Sequence, residues 1–351
     1  MSFASDLIRW YEAAHRDLPW RKTKDPYRIW LSEIILQQTR VQQGLPYYER
    51  FITHYPTVFA LASASEQQVL RDWQGLGYYS RARNLQSAAK QIVSDFEGQF
   101  PADYDKLLRL KGVGDYTASA IASMAFDLPH AVVDGNVYRV LSRVYGIQEA
   151  IDQPTGQRLF KAKAQELIDP ARPGSFNQAM MELGATCCTP RNPECGRCPL
   201  ANGCIARQQQ RITELPVKAG KIKVRDRYFN YVLIAYEDGF YLNRRGEGDI
   251  WQGLYDPWLI EADSLMDTKE LLARFTQNFS ITNAELLGAE RTHDYKHLLS
   301  HQRLHARFWL VRIFSKLQQN DLNFVSRSDL NHYPLPKLIS TYINSIEAWL
   351  D

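Results

Sequence analysis

Residues 110–118 read Leu110-Lys111-Gly112-Val113-Gly114-Asp115-Tyr116-Thr117-Ala118. The stretch joins two segments of helical character. Leu107, Leu108 and Leu110 lead into it, and Tyr116 to Phe126, rich in Ala and Ser, leads out. Two glycines one residue apart let the backbone turn tightly and leave bare N–H groups at the start of the next helix. Such groups hold a phosphate without reading sequence. The pattern is helix–hairpin–helix, with Gly112 and Gly114 as the DNA-contacting pair; for a lone Gly-x-Gly the alternative is a mere turn.

The surrounding chain is also helical in pattern. Asp25-Pro26 is a start signal, a capping side chain followed by Pro at the first helical position. An apolar-rich segment, Tyr27 to Val41, follows it. Phe176 to Leu183 is a further helical segment, expected to stop at Gly184. No strand alternation of any length occurs before residue 206, so residues 1–206 are expected to form an all-helical domain.

Residues 207–225 change character. Gln208–Gln210, Pro216 and the basic run Lys218, Lys221, Lys223, Arg225 read as an interdomain linker. It is either a plain solvated tether or one that also touches DNA phosphates. Beyond it, residues 226–351 read as a small α+β domain. Tyr228–Tyr236, Phe240–Leu242 and Arg307–Phe314 are strand candidates, and Asp238-Gly239 signals a hairpin. Leu271–Phe279 and Lys337–Leu350 look helical. The expected fold class is therefore multidomain, α followed by α+β, which suits 351 residues, too many for one ordinary core.

A net charge of +3 does not by itself argue for nucleic acid, so a DNA-binding face must come from local clustering. No basic segment followed by an apolar core opens the chain, and no apolar run approaches the length of a membrane span. The cytoplasm, or wherever DNA is kept, is the expected location. The five cysteines all fall between Cys187 and Cys204. Four of them read Cys188-x6-Cys195-x2-Cys198-x5-Cys204, a spacing that lets four thiolates surround a metal centre. Zinc and a [4Fe–4S] cluster both accept four thiolates, and spacing alone does not choose. Cys187 reads as a neighbour. Asp134, in Val132-Val133-Asp134-Gly135-Asn136-Val137, stands at a helix start, where an acid is ordinarily an N-cap.

Helix–hairpin–helix, Val-Asp-Gly-Asn-Val and the four-cysteine loop, in this order, resemble the endonuclease III superfamily of DNA glycosylases. The resemblance implies a [4Fe–4S] cluster on Cys188, Cys195, Cys198 and Cys204, and a catalytic role for Asp134. Bifunctional members carry a lysine where this chain has Tyr116. A phenol cannot form a Schiff base, so strand cleavage by that route should be absent or weak. Leu18-Pro19-Trp20-Arg21, the run Trp30 to Thr39 (Trp-Leu-Ser-Glu-Ile-Ile-Leu-Gln-Gln-Thr) and the run Gly75 to Asn84 are similar to the adenine glycosylase (MutY) family within it.

That similarity implies an enzyme that hydrolyses the N-glycosidic bond of adenine mispaired with 8-oxoguanine or guanine in double-stranded DNA. It also implies a bacterial, DNA-associated cytoplasmic monomer. Glu33, between Trp30-Leu31 and Ile34-Ile35-Leu36, is implied to protonate adenine N7, and an apolar setting suits a general acid because it disfavours the charged carboxylate. Asp134 is implied to stabilise the sugar cation, with Tyr116 hydrogen-bonded to Asp134 or the sugar and Asn136 placing Glu33 or the water. Arg16, Trp20, Arg21 and Gln178 match adenine-pocket positions. Gln38, Thr39, Leu76 and Tyr78 match residues that wedge the duplex and contact the opposite base.

The tail resembles the family's Nudix-like recognition domain. It lacks the Glu-rich motif with which Nudix enzymes bind magnesium, which favours recognition over pyrophosphatase chemistry. Leu299-Ser300-His301 stands where the family has Phe-Ser-His; Ser300 and His301 keep their hydrogen-bonding capacity, and the stacking Phe is replaced. His293, His297, His301 and His305, four apart, would line one face of a helix; the resemblance places a strand–loop–strand there instead. Lys111 replaces a usual hairpin Pro. Two rival readings are a thymine glycosylase for G·T mismatches and a non-enzymatic iron–sulfur DNA-binding protein. The first has no reason to keep this tail, and the second has no need of both Glu33 and Asp134.

Overall fold

Asp25 accepts a hydrogen bond from the Tyr27 N–H at 2.9 Å, with Pro26 at the first helical position. The computed structural model thus begins its second helix where the capping signal lies, and it describes residues 2–220, 224–279, 281, 284–287, 294–318 and 321–346. Lys221, Lys223, His293 and the end of the expected C-terminal helix, residues 347–350, lie outside the described residues.

By its internal contacts the chain forms two units, residues 1–63 with 84–221, and 64–83 with 222–351. These bounds differ from those expected, because residues 64–83 group with the tail. The first unit is helical. Its elements are α1 (Phe3–Ala14), α2 (Pro26–Leu36), α3 (Val41–His54) and α4 (Val58–Ser63). After α5 (Glu66–Asp72) of the second unit, α6 (Ser80–Phe96) crosses the boundary. The first unit continues with α7 (Tyr104–Leu108), α8 (Asp115–Phe126), α9 (Gly135–Tyr145), α10 (Pro154–Leu167), α11 (Pro173–Glu182) and α12 (Ile205–Gln208). One core gathers Leu7 and Ile8 of α1, Val140 and Leu141 of α9, Phe160 of α10 and Phe176 of α11. The apolar run expected over Tyr27–Val41 is two helices, parted at Gln37–Arg40, where Gln38 takes a left-handed φ of 55°.

The expected tether is only in part a tether. Arg143 of α9 donates to the carbonyls of Ile212 (3.1 Å) and Leu215 (3.2 Å), and the Ile151 N–H donates to Val217 O at 3.1 Å. These bonds fix residues 212–217 on the first unit.

The second unit is built on a mixed sheet. Its strands are β1 (Arg225–Tyr236), β2 (Gly239–Arg244), β3 (Tyr255–Asp256), β4 (Trp258–Ala262), β5 (Ala284–Leu287), β6 (Asp294–Leu298), β7 (Gln302–Ile313) and β8 (Asn323–Ser326), with helices α13 (Thr268–Phe279) and α14 (Lys337–Ile346). β1 pairs in parallel with β7, from Arg225↔Gln302 to Ala235↔Arg312, and antiparallel with β2 and β4. Successive strand residues point to opposite faces, and β1 shows it. Phe229, Tyr231 and Leu233 join the core containing Ile339, Tyr342 and Ile343 of α14, while Val232 and Ile234 join Leu271 and Phe275 of α13. The Asp238-Gly239 signal is met by a two-residue turn at Glu237-Asp238, with Gly239 already paired to Tyr236. His297 lies on β6, His301 in the β6–β7 turn and His305 on β7. No helix among the described residues is long and apolar enough to cross a membrane.

Candidate active site

α2 is buried on nearly all sides, from Tyr27 to Ile35. An acid on such a helix has little water to ionise into, and Glu33 is only 7 % exposed. The Tyr116 hydroxyl of α8 donates to Glu33 Oε2 at 2.8 Å, and lies 3.3 Å from Met181 Sδ. Burial pushes the Glu33 carboxyl up to about 7, against the downward pull of the Tyr116 hydrogen bond; the nearby Asp134 adds to the rise and Arg21 opposes it. A carboxyl at that value is poised to give up a proton near neutrality.

Asp134 caps α9. Its Oδ1 accepts from the N–H groups of Asn136 (2.9 Å) and Val137 (2.8 Å), and its Oδ2 accepts from Asn136 Nδ2 at 2.7 Å. Burial raises the Asp134 carboxyl, while these three donors and the charge of Arg139 pull it back. Asp134 is therefore a helix cap and a pocket acid at once. The expected partner of Tyr116 was Asp134 or the sugar, and that of Asn136 was Glu33 or the water; in the structure Tyr116 bonds to Glu33 and Asn136 to Asp134.

Glu33, Tyr116, Asp134 and Asn136 face a cavity of about 490 Å³, also lined by Arg16, Trp20, Arg21, Thr39, Gln178 and Met181. The volume is that of a small-ligand site. Trp20 is buried, and its ring meets Tyr48 edge-on at 5.1 Å. The Tyr11 hydroxyl donates to Gln178 Oε1 at 2.6 Å, fixing that amide. Tyr11 escaped the sequence reading, as did Glu182 and Arg139. The one available signal was a charged residue inside an apolar helix, Met180-Met181-Glu182-Leu183 and Arg139-Val140-Leu141.

Gly184 does not end its helix. The chain runs on from α11 through a wide turn, Leu183–Cys187, with a π-helical hydrogen-bond pattern. A Cβ on Gly184 would lie 2.5 Å from Asn136 Cβ and 3.0 Å from its Cα. The glycine is there to admit α9, not to stop a helix. Gly184→Ala should displace Asn136 and lower both the melting temperature and catalysis, which thermal unfolding and single-turnover assays on one sample will show. An unchanged rate would contradict the tight approach.

The hairpin runs from Arg109 to Gly114. Gly112 has φ +75° and a Cβ there would meet Asn84 at 2.6 Å; Gly114 is the N-cap of α8, makes no side-chain cap, and a Cβ on it would meet nothing within 4 Å. Gln91 of α6 clips the turn, accepting from the Lys111 N–H at 3.1 Å and donating to Arg109 O at 3.2 Å. Gln38 and Tyr78 are both exposed and both take left-handed backbone angles, φ 55° and 48°. Such strain on non-glycine residues is a feature of functional loops. Leu76 is buried. In the second unit the Tyr78 hydroxyl and Ser300 Oγ are 2.5 Å apart, and both border a hollow of about 360 Å³ with His301 and Trp251. Leu299 packs against the β1–α14 core, leaving Leu298 as the exposed apolar side chain of that turn, at 69 %.

Cys188, Cys195, Cys198 and Cys204 ring a cavity walled by Val140, Val144, Leu183 and Ile212, with Cys187 beside them. The donor set is four free thiols, and Arg143 Nη1 lies 3.4 Å from Cys188 Sγ, a cation suited to an anionic thiolate cluster. Among the described residues no group of His, Cys, Asp or Glu is placed to hold a single metal ion. Four cysteines spread round a cavity fit a polynuclear cluster instead.

Residues 31–170 match the model of the HhH-GPD superfamily of base excision DNA repair proteins, 188–204 the iron–sulfur binding domain of endonuclease III, and 230–345 the NUDIX domain. An adenine DNA glycosylase of Buchnera aphidicola (from Schizaphis graminum) is 37 % identical over 256 residues, 72 % of this chain and 73 % of the relative. The chain belongs to the adenine DNA glycosylase family. A rat member is 47 % identical over 227 residues, which span 61 % of this chain and 44 % of that longer relative. A thermostable thymine-DNA glycosylase structure is similar at 28 % identity with TM-score 0.55, covering 59 % of this chain and 95 % of that one. The matched iron–sulfur domain and the family together give the chain a [4Fe–4S] cluster.

Proposed function

We propose that the chain excises adenine mispaired with 8-oxoguanine or guanine from double-stranded DNA, hydrolysing the N-glycosidic bond with acid assistance in base excision repair. The observation that carries the reading is the buried Glu33, hydrogen-bonded by Tyr116 and sharing one cavity with Asp134. The target base must leave the stack to reach such a site. Glu33 gives its proton to adenine N7. The C1′–N9 bond breaks and its electron pair leaves with the protonated base. Ionised Asp134 faces the positive charge left on the sugar, and its three N–H donors keep the carboxylate in place. Water then adds to C1′ and a proton returns to a carboxylate, restoring the site. The division of labour between a protonated and an ionised carboxyl is that of glycoside hydrolysis generally. Tyr116 holds Glu33 and offers no amine, so the product is an abasic site and not a cut strand.

Cys188, Cys195, Cys198 and Cys204 are the residues we assign to the [4Fe–4S] cluster, which would tie residues 188–204 together when bound. In the tail, Ser300, His301 and the exposed Tyr78 are the groups we assign to the opposite base, with Gln38, Thr39 and Leu76. The hairpin glycines and the basic residues Lys218 and Arg225 are assigned to the phosphates. Carboxylates of the degenerate Nudix region are already committed: Arg227 pairs with Asp249 (2.6 Å) and Glu261 (2.6 Å), and Arg245 with buried Asp256 (2.7 Å). This supports recognition over magnesium-dependent hydrolysis.

The likeness to a thymine-DNA glycosylase favours one second reading, thymine opposite guanine. Duplexes carrying A opposite 8-oxoguanine, A opposite G and T opposite G, treated with alkali after incubation, separate the two. The first should turn over fastest, the second more slowly and T·G negligibly. Preferential cleavage at T·G would overturn the adenine assignment.

A further inference from the structure

Glu182, at the end of α11, has no exposed surface, yet it carries a full set of charged partners. Its Oε1 accepts from Arg16 N (3.0 Å) and Arg16 Nε (2.8 Å), and its Oε2 from Arg16 Nη2 (2.6 Å) and Arg21 Nη2 (2.7 Å). Arg21 Nη1 returns to the Arg16 carbonyl at 3.0 Å, closing the arrangement. All three side chains line the cavity that holds Glu33.

We propose that Glu182 is a positioning and charge-balancing residue of this site, locking both guanidinium groups against one wall and keeping their charge from Glu33. The proposal rests on the functional reading above. A carboxylate gripped by two arginines is geometrically fixed, since guanidinium forks bind carboxylates with defined geometry. Burial would raise its own pKa, but the Arg16 and Arg21 hydrogen bonds hold it at about 2, so it is ionised throughout any working pH. The groups facing Glu33 are Tyr116 from α8, Asp134 from the start of α9 and Arg21 from the turn Pro19–Arg21. Of these, Arg21 is the one cation, and it pulls the Glu33 carboxyl down. Glu182 sits on that cation. Without it, the arginine field on Glu33 grows, and the acid loses its proton at lower pH.

The test uses the full-length protein with its cluster. Glu33 is titrated by carboxyl ¹³C NMR, with Glu33→Gln assigning the signal, and excision of adenine opposite 8-oxoguanine is followed against pH. Glu182→Gln should lower the Glu33 midpoint by about one pH unit, as loss of a neighbouring charge does. The alkaline limb of excision should shift with it, and the rate at pH 7.5 should fall about tenfold. Arg21→Met, which removes the cation and leaves Glu182 held by Arg16, should move the midpoint the opposite way. Opposed shifts are the signature; a residue that only supported the fold would give lower melting with no opposed pair. Midpoints that stay at the wild-type value, or move together, overturn the proposal. Should Glu182→Gln fail to fold, Glu182→Asp keeps the charge but draws it back from both guanidinium groups, and the Glu33 midpoint should still fall; an unmoved midpoint overturns the proposal. Opposed shifts in the variants of a protein whose wild type does not excise adenine would uphold the charge balance and reject the functional reading.

Discussion

Glu33→Gln lowers single-turnover excision of adenine about 10³-fold and leaves duplex binding intact, the scale at which removing a general acid acts. The amide keeps an oxygen to accept from Tyr116, so the site stays closed, but it has no proton to give. The same substitution raises stability. The folded Glu33 carboxyl titrates near 7, against an ordinary value of 4.5, because it is buried. A raised carboxyl pKa means the protonated form is the one folding favours. That contribution is fully present below about pH 4.5 and is lost as pH rises through 7, a change of about 3 kcal/mol over the interval. Glu33→Gln escapes this loss. Its melting temperature should exceed wild type by about 5 °C at pH 8, with a much smaller gap at pH 5. An enzyme that gains stability when its acid is removed has placed that acid for catalysis and not for folding. Wild-type excision by the variant would remove Glu33 from the mechanism.

The second large effect lies one helical turn away from Asp134. Arg139 of α9 is buried and donates four times: Nε to Cys188 O (2.7 Å), Nη1 to Gly135 O (3.3 Å), and Nη2 to Asn136 Oδ1 (2.9 Å) and Gly184 O (2.7 Å). The bond to Asn136 Oδ1 turns that amide so its Nδ2 must face Asp134. The bond to Cys188 O ties the same guanidinium to the start of the cluster loop. Arg139→Met strands these acceptors in the interior, at a cost of roughly 3–5 kcal/mol. Expected are a fall in melting temperature, faster extraction of iron by a chelator, and excision reduced about 10²-fold. Arg139→Lys should restore little, because one ammonium cannot reproduce a fork that spans α9 and residues 184–188. A methionine variant with native melting, native iron retention and native rate would show that the network is incidental.

Local signals in the sequence carried much of this architecture. Asp25-Pro26 begins α2, and the two hairpin glycines separate α7 from α8. The residue at position 134 read by itself as a helix cap, with a catalytic role implied only by resemblance, and its geometry is that of a cap whose carboxylate also faces the cavity. What could not be read depends on distant partners. Glu182 meets Arg16 and Arg21 across 166 and 161 residues. The Gly184 signal misled because glycine serves close packing as readily as helix ends, and only the approach of Asn136 distinguishes them. The grouping of residues 64–83 with the tail was invisible for the same reason, since it rests on pairs such as Glu66 with Arg244 at 3.0 Å and Tyr78 with Ser300. The short strands β3, β5 and β8 carry too few residues for an alternation to stand out.

We propose that a buried, protonated Glu33 drives departure of adenine. Its most direct measurement is the single-turnover rate on a duplex with A opposite 8-oxoguanine, taken across pH 5 to 9 for wild type and Glu33→Gln. The wild-type rate should fall as pH rises through about 7, where Glu33 gives up its proton. This limb should vanish from the residual activity of the variant. A wild-type rate that is flat across that range, or a variant that keeps the same limb, would contradict Glu33 as the proton donor.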